Sequence, residues 1–148
     1  MSLPTLLDAG DRAAILDRLH RLRPDARAQW GKLDPPRLLT HLGDQLRVAT
    51  GKLPTVPTHT WFTRSIGRMV VVNTSLKAPR GKVETAPEML STAPAAWAAD
   101  MDTVTTLAEE VAQGRCVAVH PAFGPLSPQE WGRICWKHLD HHLTQFGV

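Results

Sequence analysis

The sequence has no tyrosine, only two cysteines and no long hydrophobic run. Each scarcity excludes something. Cys116 and Cys135 could form one bridge, but not the framework of a disulfide-stapled secreted domain. A reduced, cytoplasmic protein is the expectation. The longest unbroken aliphatic run spans Met69 to Val72, far short of the roughly 20 residues of a membrane-spanning helix. Asp8 and Asp11 interrupt the N-terminal segment, which therefore lacks a signal-like apolar run. Dense charge of one sign is also missing. The 17 Lys and Arg against 14 Asp and Glu leave a formal net charge of +3. The basic residues are scattered, with Arg12, Arg18, Arg21, Arg23 and Arg27 alternating with acids and apolar residues. Without a basic tract, nucleic-acid binding is disfavoured. No phosphate-binding Gly loop, dinucleotide fingerprint, Ser nucleophile elbow or Cys-x-x-Cys-His haem site occurs.

What is present is a chain of 148 residues, 43% hydrophobic and 21% charged, close to globular averages. That length predicts one domain, residues 1–148, large enough to fold on its own core. No internal repeat or low-complexity tract interrupts it. Seven His and five Trp are conspicuous in so short a chain.

Apolar periodicity predicts a helix over Asp8 to Arg23, with Ile15, Leu16, Leu19 and Leu22 on one stripe and Pro24 as the stop. Asp34 offers an N-cap, with Pro35 and Pro36 tolerated in the first turn. A second helix should run from there to about Thr50, ended by Gly51, with Leu38, Leu42, Leu46 and Ala49 inward. Prolines divide residues 53–93. Trp61 to Val72 reads as a helix or, over Met69 to Val72, a short strand; Lys77 to Glu88 reads as an extended crossover. A third long helix is predicted from Pro94 to about Gln113, with Trp97, Met101, Val104, Ala108 and Val111 on one face and Gly114 at its end. After a turn-rich loop from His120 to Pro125, Ser127 and Glu130 form a capping box around Pro128. The last helix should run from Pro128 almost to the C-terminus. Four substantial helices, a long crossover between the second and third and no convincing strand pattern predict an all-α fold, a four-helix bundle. Facing helices of such a bundle can assemble a metal or cofactor site.

The last helix carries the sharpest signal, His138-Leu139-Asp140-His141-His142-Leu143-Thr144-Gln145. With Trp131 at zero on a helical wheel, His138 falls at about −20°, His142 at about +20° and Gln145 at about −40°. Two histidines thus sit in the middle of the expected buried stripe, with His141 on its flank at about −80°. Burying two imidazoles one turn apart is costly, because an unpaired buried polar group costs roughly 1–3 kcal/mol. Residues four apart on a helix have Cβ atoms about 5–6 Å apart, so both rings can reach one ion. A shared metal explains their placement. His41, near the edge of the second helix's apolar stripe, is the best third ligand; His20, His59 and His120 are weaker candidates. Cys135 shares the stripe and could ligate, but more often such a residue is a small buried apolar group. Asp44 and Asp140 are expected in solvent, either of them able to orient a ligand imidazole. Gln145 stands one turn beyond His142, where it could touch a ligand ring or a substrate. The Trp residues read as core and helix-edge packing. Leu139 stands where a zinc peptidase would carry its Glu base.

These residues resemble the DinB-like (damage-inducible B) metalloprotein superfamily, which takes one His from its second helix and a His-x-x-x-His pair from its last. His41 matches the first, His138 and His142 the pair, and His141 and Gln145 the accompanying His and Gln. Leu143 and Thr144 replace the Arg-Gly that the family often has there. A closer likeness, to an uncharacterised subgroup, covers nearly the whole chain. It rests on Trp30-Gly31-Lys32, Thr40-His41-Leu42, Gly81-Lys82-Val83, His120 to Gly124, Glu130-Trp131-Gly132 and Lys137 through Gly147. The resemblance implies a four-helix bundle, a divalent ion held by three His and frequently a homodimer. Characterised relatives use low-molecular-weight thiols in transferase or isomerase reactions.

The expected function is therefore a metal-dependent enzyme acting on a small-molecule substrate, first a thiol-dependent transferase. His41, His138 and His142 are the expected ligands, and His141 or Gln145 the expected catalytic or substrate-steering residues. The Phe123 loop is expected to cap the pocket. Imidazole suits zinc, nickel, copper and iron alike, so the spacing leaves the metal open. A metal-assisted hydrolase and a non-catalytic metal- or ligand-binding stress protein are the alternatives.

Overall fold

A computed structural model describes residues 2–81 and 87–148. Among these residues five α-helices form, and the chain is helix-rich, consistent with an all-α fold. They are α1 (Ala9–His20), α2 (Pro35–Ala49), α3 (Arg68–Asn73), α4 (Trp97–Ala112) and α5 (Pro128–Gln145). No described helix is long and apolar enough to cross a membrane.

The local chemistry explains the ends of the two helices that matter most. Asp34 caps α2, its carboxylate accepting from the Arg37 N–H at 2.9 Å. Ser127 and Glu130 form the expected reciprocal box at the start of α5, with Ser127 N–H donating to Glu130 Oε2 at 2.9 Å. Each such cap contributes about 1 kcal/mol. α1 is shorter than predicted, because after His20 the chain tightens: Arg21 and Leu22 N–H groups bond to carbonyls three residues back. α4 begins at Trp97 rather than Pro94, since Ala95 N–H is taken by the Asp100 carboxylate, which sets a turn ahead of the helix.

α2 is the centre of the core. It packs against α4, α5 and a short 3₁₀ turn at Pro87–Leu90, while α1 lies against α5. Leu38, Leu42, Leu46 and Ala49 are fully buried, as their spacing predicted. So, however, are Leu39, Val48 and Asp44, because neighbours cover α2 on more than one side. Asp44 is therefore not in solvent. Its carboxylate accepts from Arg47 at 2.9 Å and from both the hydroxyl and the N–H of Thr92. Asp140 is also not solvated: it pairs with Arg18 at 2.6 Å.

Between α2 and α4, among the described residues, an arm of the chain lies against α5. Residues 61–73 are helical, not a strand, and Thr63–Gly67 take a π-helical turn that runs into α3. Of this helix only Val72 is fully buried, and Trp61 is 77% exposed, so it is no packing residue of this chain. Part of the expected extended crossover, residues 82–86, and with it most of the Gly81-Lys82-Val83 segment, lies outside the described residues. Two two-residue strands, β1 (Val119–His120) and β2 (Gly124–Pro125), pair antiparallel with His120 opposite Gly124. The loop expected to be rich in turns is thus the turn of a small hairpin.

Candidate metal centre

His41 comes from α2, one turn after its N-terminal Leu38, while His138 and His142 stand one turn apart on α5. The packing of α2 on α5 brings their ring nitrogens together. His41 Nε2 lies 3.1 Å from His142 Nε2 and 3.0 Å from His138 Nε2. One ligand atom from each ring lies within 4.8 Å of the other two. Three nitrogens bound tetrahedrally at 2.0–2.1 Å to one ion would stand about 3.4 Å apart. Two sides of the observed triangle are close to that length and the third is within 4.8 Å, so these three residues could hold a metal ion.

Hydrogen bonds behind the rings aim their lone pairs at this point. His41 Nδ1 faces the Met89 carbonyl at 2.9 Å, and a carbonyl only accepts. That nitrogen carries the proton, and Nε2 of the neutral ring is bare. His142 Nδ1 faces Gln145 Oε1 at 2.8 Å. The amide cannot turn around without loss, because its Nε2 donates to the Trp30 carbonyl at 2.7 Å. His142 Nε2 is therefore bare as well. Two lone pairs 3.1 Å apart, with no proton between them, repel unless a cation stands beside both. His138 Nδ1 is buried without a partner. The third ring thus has a free choice of tautomer and can present Nε2 too.

The rings are neutral. Burial, joined by the neighbouring histidines, holds His138 well below the ordinary imidazole pKa. Burial takes His142 down to about 3, with the His41 charge adding to the effect and the Gln145 bond opposing it. His41 is lowered by burial, against the Met89 carbonyl and Asp44. A neutral imidazole is the form that ligates a metal.

The remaining expected residues fall in different places. His141 is half-buried beside the centre, its ring edge-on to Trp30 at 5.8 Å and to His142 at 5.0 Å. Gln145 is 4% exposed and engaged at both ends, so it positions His142 rather than facing open space. Neither Asp44 nor Asp140 touches a ligand ring; Met89 and Gln145 take the orienting role instead. Cys135 is buried, its thiol pushed up to about 12 by burial, and its sulfur accepts from Gln45 at 3.4 Å. It stands apart from the histidine triangle. His20 bonds to Thr105 and His59 belongs to the arm. The Phe123 loop does not cap the centre. It precedes α5, whereas His138 lies ten residues further on, about 15 Å along the axis at 1.5 Å per residue. Trp30 stands beside His141 instead, with the Arg80 guanidinium 4.4 Å from its ring.

The helical wheel placed the histidines mid-stripe. In the structure the fully buried line of α5 is Trp131, Cys135, Leu139 and Leu143, and His138 and His142 stand at its border. Packing on two sides shifts the buried face toward Leu139. Sequence spacing also missed Gly31. Its φ is +77°, and a Cβ there would come 2.6 Å from Gln145 Nε2. Met89 contributes through its backbone, which no side-chain pattern could signal.

A family model described as a protein of unknown function (DUF1569) matches residues 2–147. No curated protein and no solved structure matches the chain.

Proposed function

The chain belongs to the DUF1569 family, and from that premise we propose that it is a divalent-metal-dependent enzyme acting on a small molecule, first a low-molecular-weight-thiol-dependent transferase. One observation carries the reading: three neutral imidazoles turn their Nε2 atoms toward one point, two of them with the tautomer fixed from behind. The helix order and the histidine positions also support kinship with the DinB-like bundles, and a four-helix bundle with a crossover as the architecture.

His41, His138 and His142 would hold the ion. Three protein ligands leave a coordination position open, as in catalytic rather than structural zinc sites. When bound, a divalent ion there supplies Lewis acidity, lowering the pKa of a thiol or a water. The chain's own residues do the rest. Gln145 and the Met89 carbonyl keep the two bare nitrogens aimed. His141, half-buried between Trp30 and the centre, is placed to steer the substrate, and Arg80 over Trp30 favours one with an anionic group. Among the described residues the nearby carboxylates Asp44 and Asp140 are engaged elsewhere, which ranks metal-assisted hydrolysis lower for want of a base. Two free cysteines fit a reduced, cytoplasmic location.

The test begins with elemental analysis of untagged protein. Stoichiometric divalent metal in the wild type, lost in His138→Ala, is the expected result. A thiol-transfer assay of metal-loaded protein across several thiols and electrophiles follows. Turnover that needs added thiol supports the transferase. Turnover without it moves the assignment to hydrolysis. A loaded protein that turns over nothing is a metal-binding protein.

A further inference from the structure

Two of the three histidines have a bond that fixes the ring from behind, and the third has none. His41 Nδ1 donates to the Met89 carbonyl and His142 Nδ1 to Gln145 Oε1. His138 Nδ1 is buried with no partner. Among the described residues one other buried side-chain polar atom is in the same position, Gln45 Oε1. The two are complementary. An imidazole nitrogen can carry a proton, and an amide oxygen can only accept a hydrogen bond.

The fold puts them in adjacent layers of one helix interface. Gln45 follows His41 by one turn on α2, and Cys135 precedes His138 by one turn on α5. His41 Nε2 meets His138 Nε2 at 3.0 Å, and one turn along the same pair of helices Gln45 Nε2 donates to the Cys135 sulfur at 3.4 Å. Side chains one turn apart have Cβ atoms about 5–6 Å apart. The Gln45 amide therefore lies in the layer next to the His138 ring, a separation that a turn of the amide or one bridging water spans. Gln45 is 4% exposed, so bulk solvent does not occupy its oxygen.

The proton on His138 decides whether the centre can take an ion. On Nε2 it is donated to the bare His41 Nε2, and it closes the point where the lone pairs meet. On Nδ1 it leaves Nε2 bare to ligate. Only this second tautomer needs an acceptor behind the ring. Cys135 is a poor one, because sulfur accepts weakly and already takes the Gln45 N–H.

We propose that Gln45 is the positioning residue of His138: its amide oxygen accepts from His138 Nδ1 and selects the tautomer that binds a metal. The proposal rests on the metal reading of the three histidines. It gives each ligand ring its own acceptor, the Met89 carbonyl for His41, Gln145 for His142 and Gln45 for His138. It also gives a role to an amide that stands among the buried Leu42 and Leu46 of α2 with its oxygen unspent.

Gln45→Leu keeps most of the bulk and removes the acceptor. Calorimetric titration of the metal-stripped protein with zinc should show an affinity about 10–100-fold below wild type. The metal-free variant should unfold at the same urea concentration or a higher one, because an apolar group replaces a buried acceptor without a partner. A residue that only held up the fold would lower both readings together. Gln45→Glu keeps an acceptor in place and should return the affinity to within about tenfold of wild type. Heteronuclear magnetic resonance of the zinc-loaded rings adds a direct reading. The His138 Nδ1 proton should exchange slowly with water in the wild type and faster in Gln45→Leu. Unchanged zinc affinity in Gln45→Leu overturns the proposal and leaves the metal centre standing. So does a Nδ1 proton indifferent to that substitution, a His138 ring that ligates through Nδ1, or a folded Gln45→Glu protein that binds no better than Gln45→Leu. A wild type that binds no divalent ion overturns the metal reading, and this proposal with it.

Discussion

Each end of α5 has buried histidine beside it, and the two ends use it differently. Ahead of the helix, His120 is 6% exposed. Its Nδ1 accepts from the N–H groups of Ala122 and Phe123, at 3.0 and 3.2 Å. Its ring stacks on Phe123 and leans on Trp131, with centroids 4.7 and 5.0 Å away. In the last turns of the helix, His41, His138 and His142 turn their ring nitrogens toward one another instead. At the first end the lone pair ties a hairpin; at the second, lone pairs converge and nothing in the chain answers all of them. Burial alone does not distinguish a structural histidine from a ligand. The partner of each ring nitrogen does.

The largest expected effect breaks the comparison most directly. His138→Ala should lower metal affinity by more than about 100-fold, while His120→Ala should leave it unchanged. Calorimetric titration of the metal-stripped proteins reads both. Equal losses from the two variants would erase the distinction between the ends.

Next comes stability. His120→Ala leaves two N–H groups of the hairpin without their acceptor and removes a stacked ring, and should cost about 2–4 kcal/mol in urea unfolding. A pH series sharpens this. Burial takes the His120 pKa from 6.5 down to about 4, so the fold holds it neutral. The unfolded chain binds a proton as pH falls through 6.5 and the folded chain does so only near 4. The contribution is therefore complete above pH 6.5 and is lost on acidification toward pH 4, up to roughly 3 kcal/mol. His120→Gln should show a shallower fall across that window than the wild type at the same metal occupancy. Glu130 acts lower down. The Arg68 bonds, with Ser127 and Asn73 assisting, hold its carboxyl at about 2, so its contribution is present above pH 4.5 and lost toward pH 2. Arg68→Ala should flatten that lower region and leave the upper one alone.

The sequence made one end of α5 easier to read than the other. His138 and His142 are four apart, and the helix converts that spacing into proximity before any tertiary contact forms. His41 needed only the second helix, whose Asp34 cap and Leu spacing were plain. His120 looked like a loop residue because its partners are backbone N–H groups in a turn, which leave no side-chain pattern. Asp44 was misread for a related reason. Its partner Thr92 is 48 residues away, and a wheel drawn for one apolar face cannot show that α2 is covered on several. The arm was least legible. The run Met69 to Val72 is as compatible with a strand as with a helix, and the π-helical turn ahead of it has no signature in composition.

The smallest expected effects concern how firmly the converging end is held. Gln145→Leu keeps the bulk and removes the bond to His142 Nδ1, so metal affinity should fall about 10–100-fold with little change in fold. Gly31→Ala should act through the same contact and act less. Gly31 adopts φ +77°, where a side chain is disfavoured by roughly 1 kcal/mol, and the added Cβ meets the amide end of Gln145. The amide nitrogen must move by roughly 0.8 Å to reach ordinary contact, lengthening its bond to Trp30 while Oε1 stays near His142. A few-fold loss of affinity in Gly31→Ala is therefore expected, and almost none when Gln145→Leu is already present, because both changes work through one amide. Full additivity in that double-variant cycle would mean that Gly31 reaches the centre by a route other than Gln145.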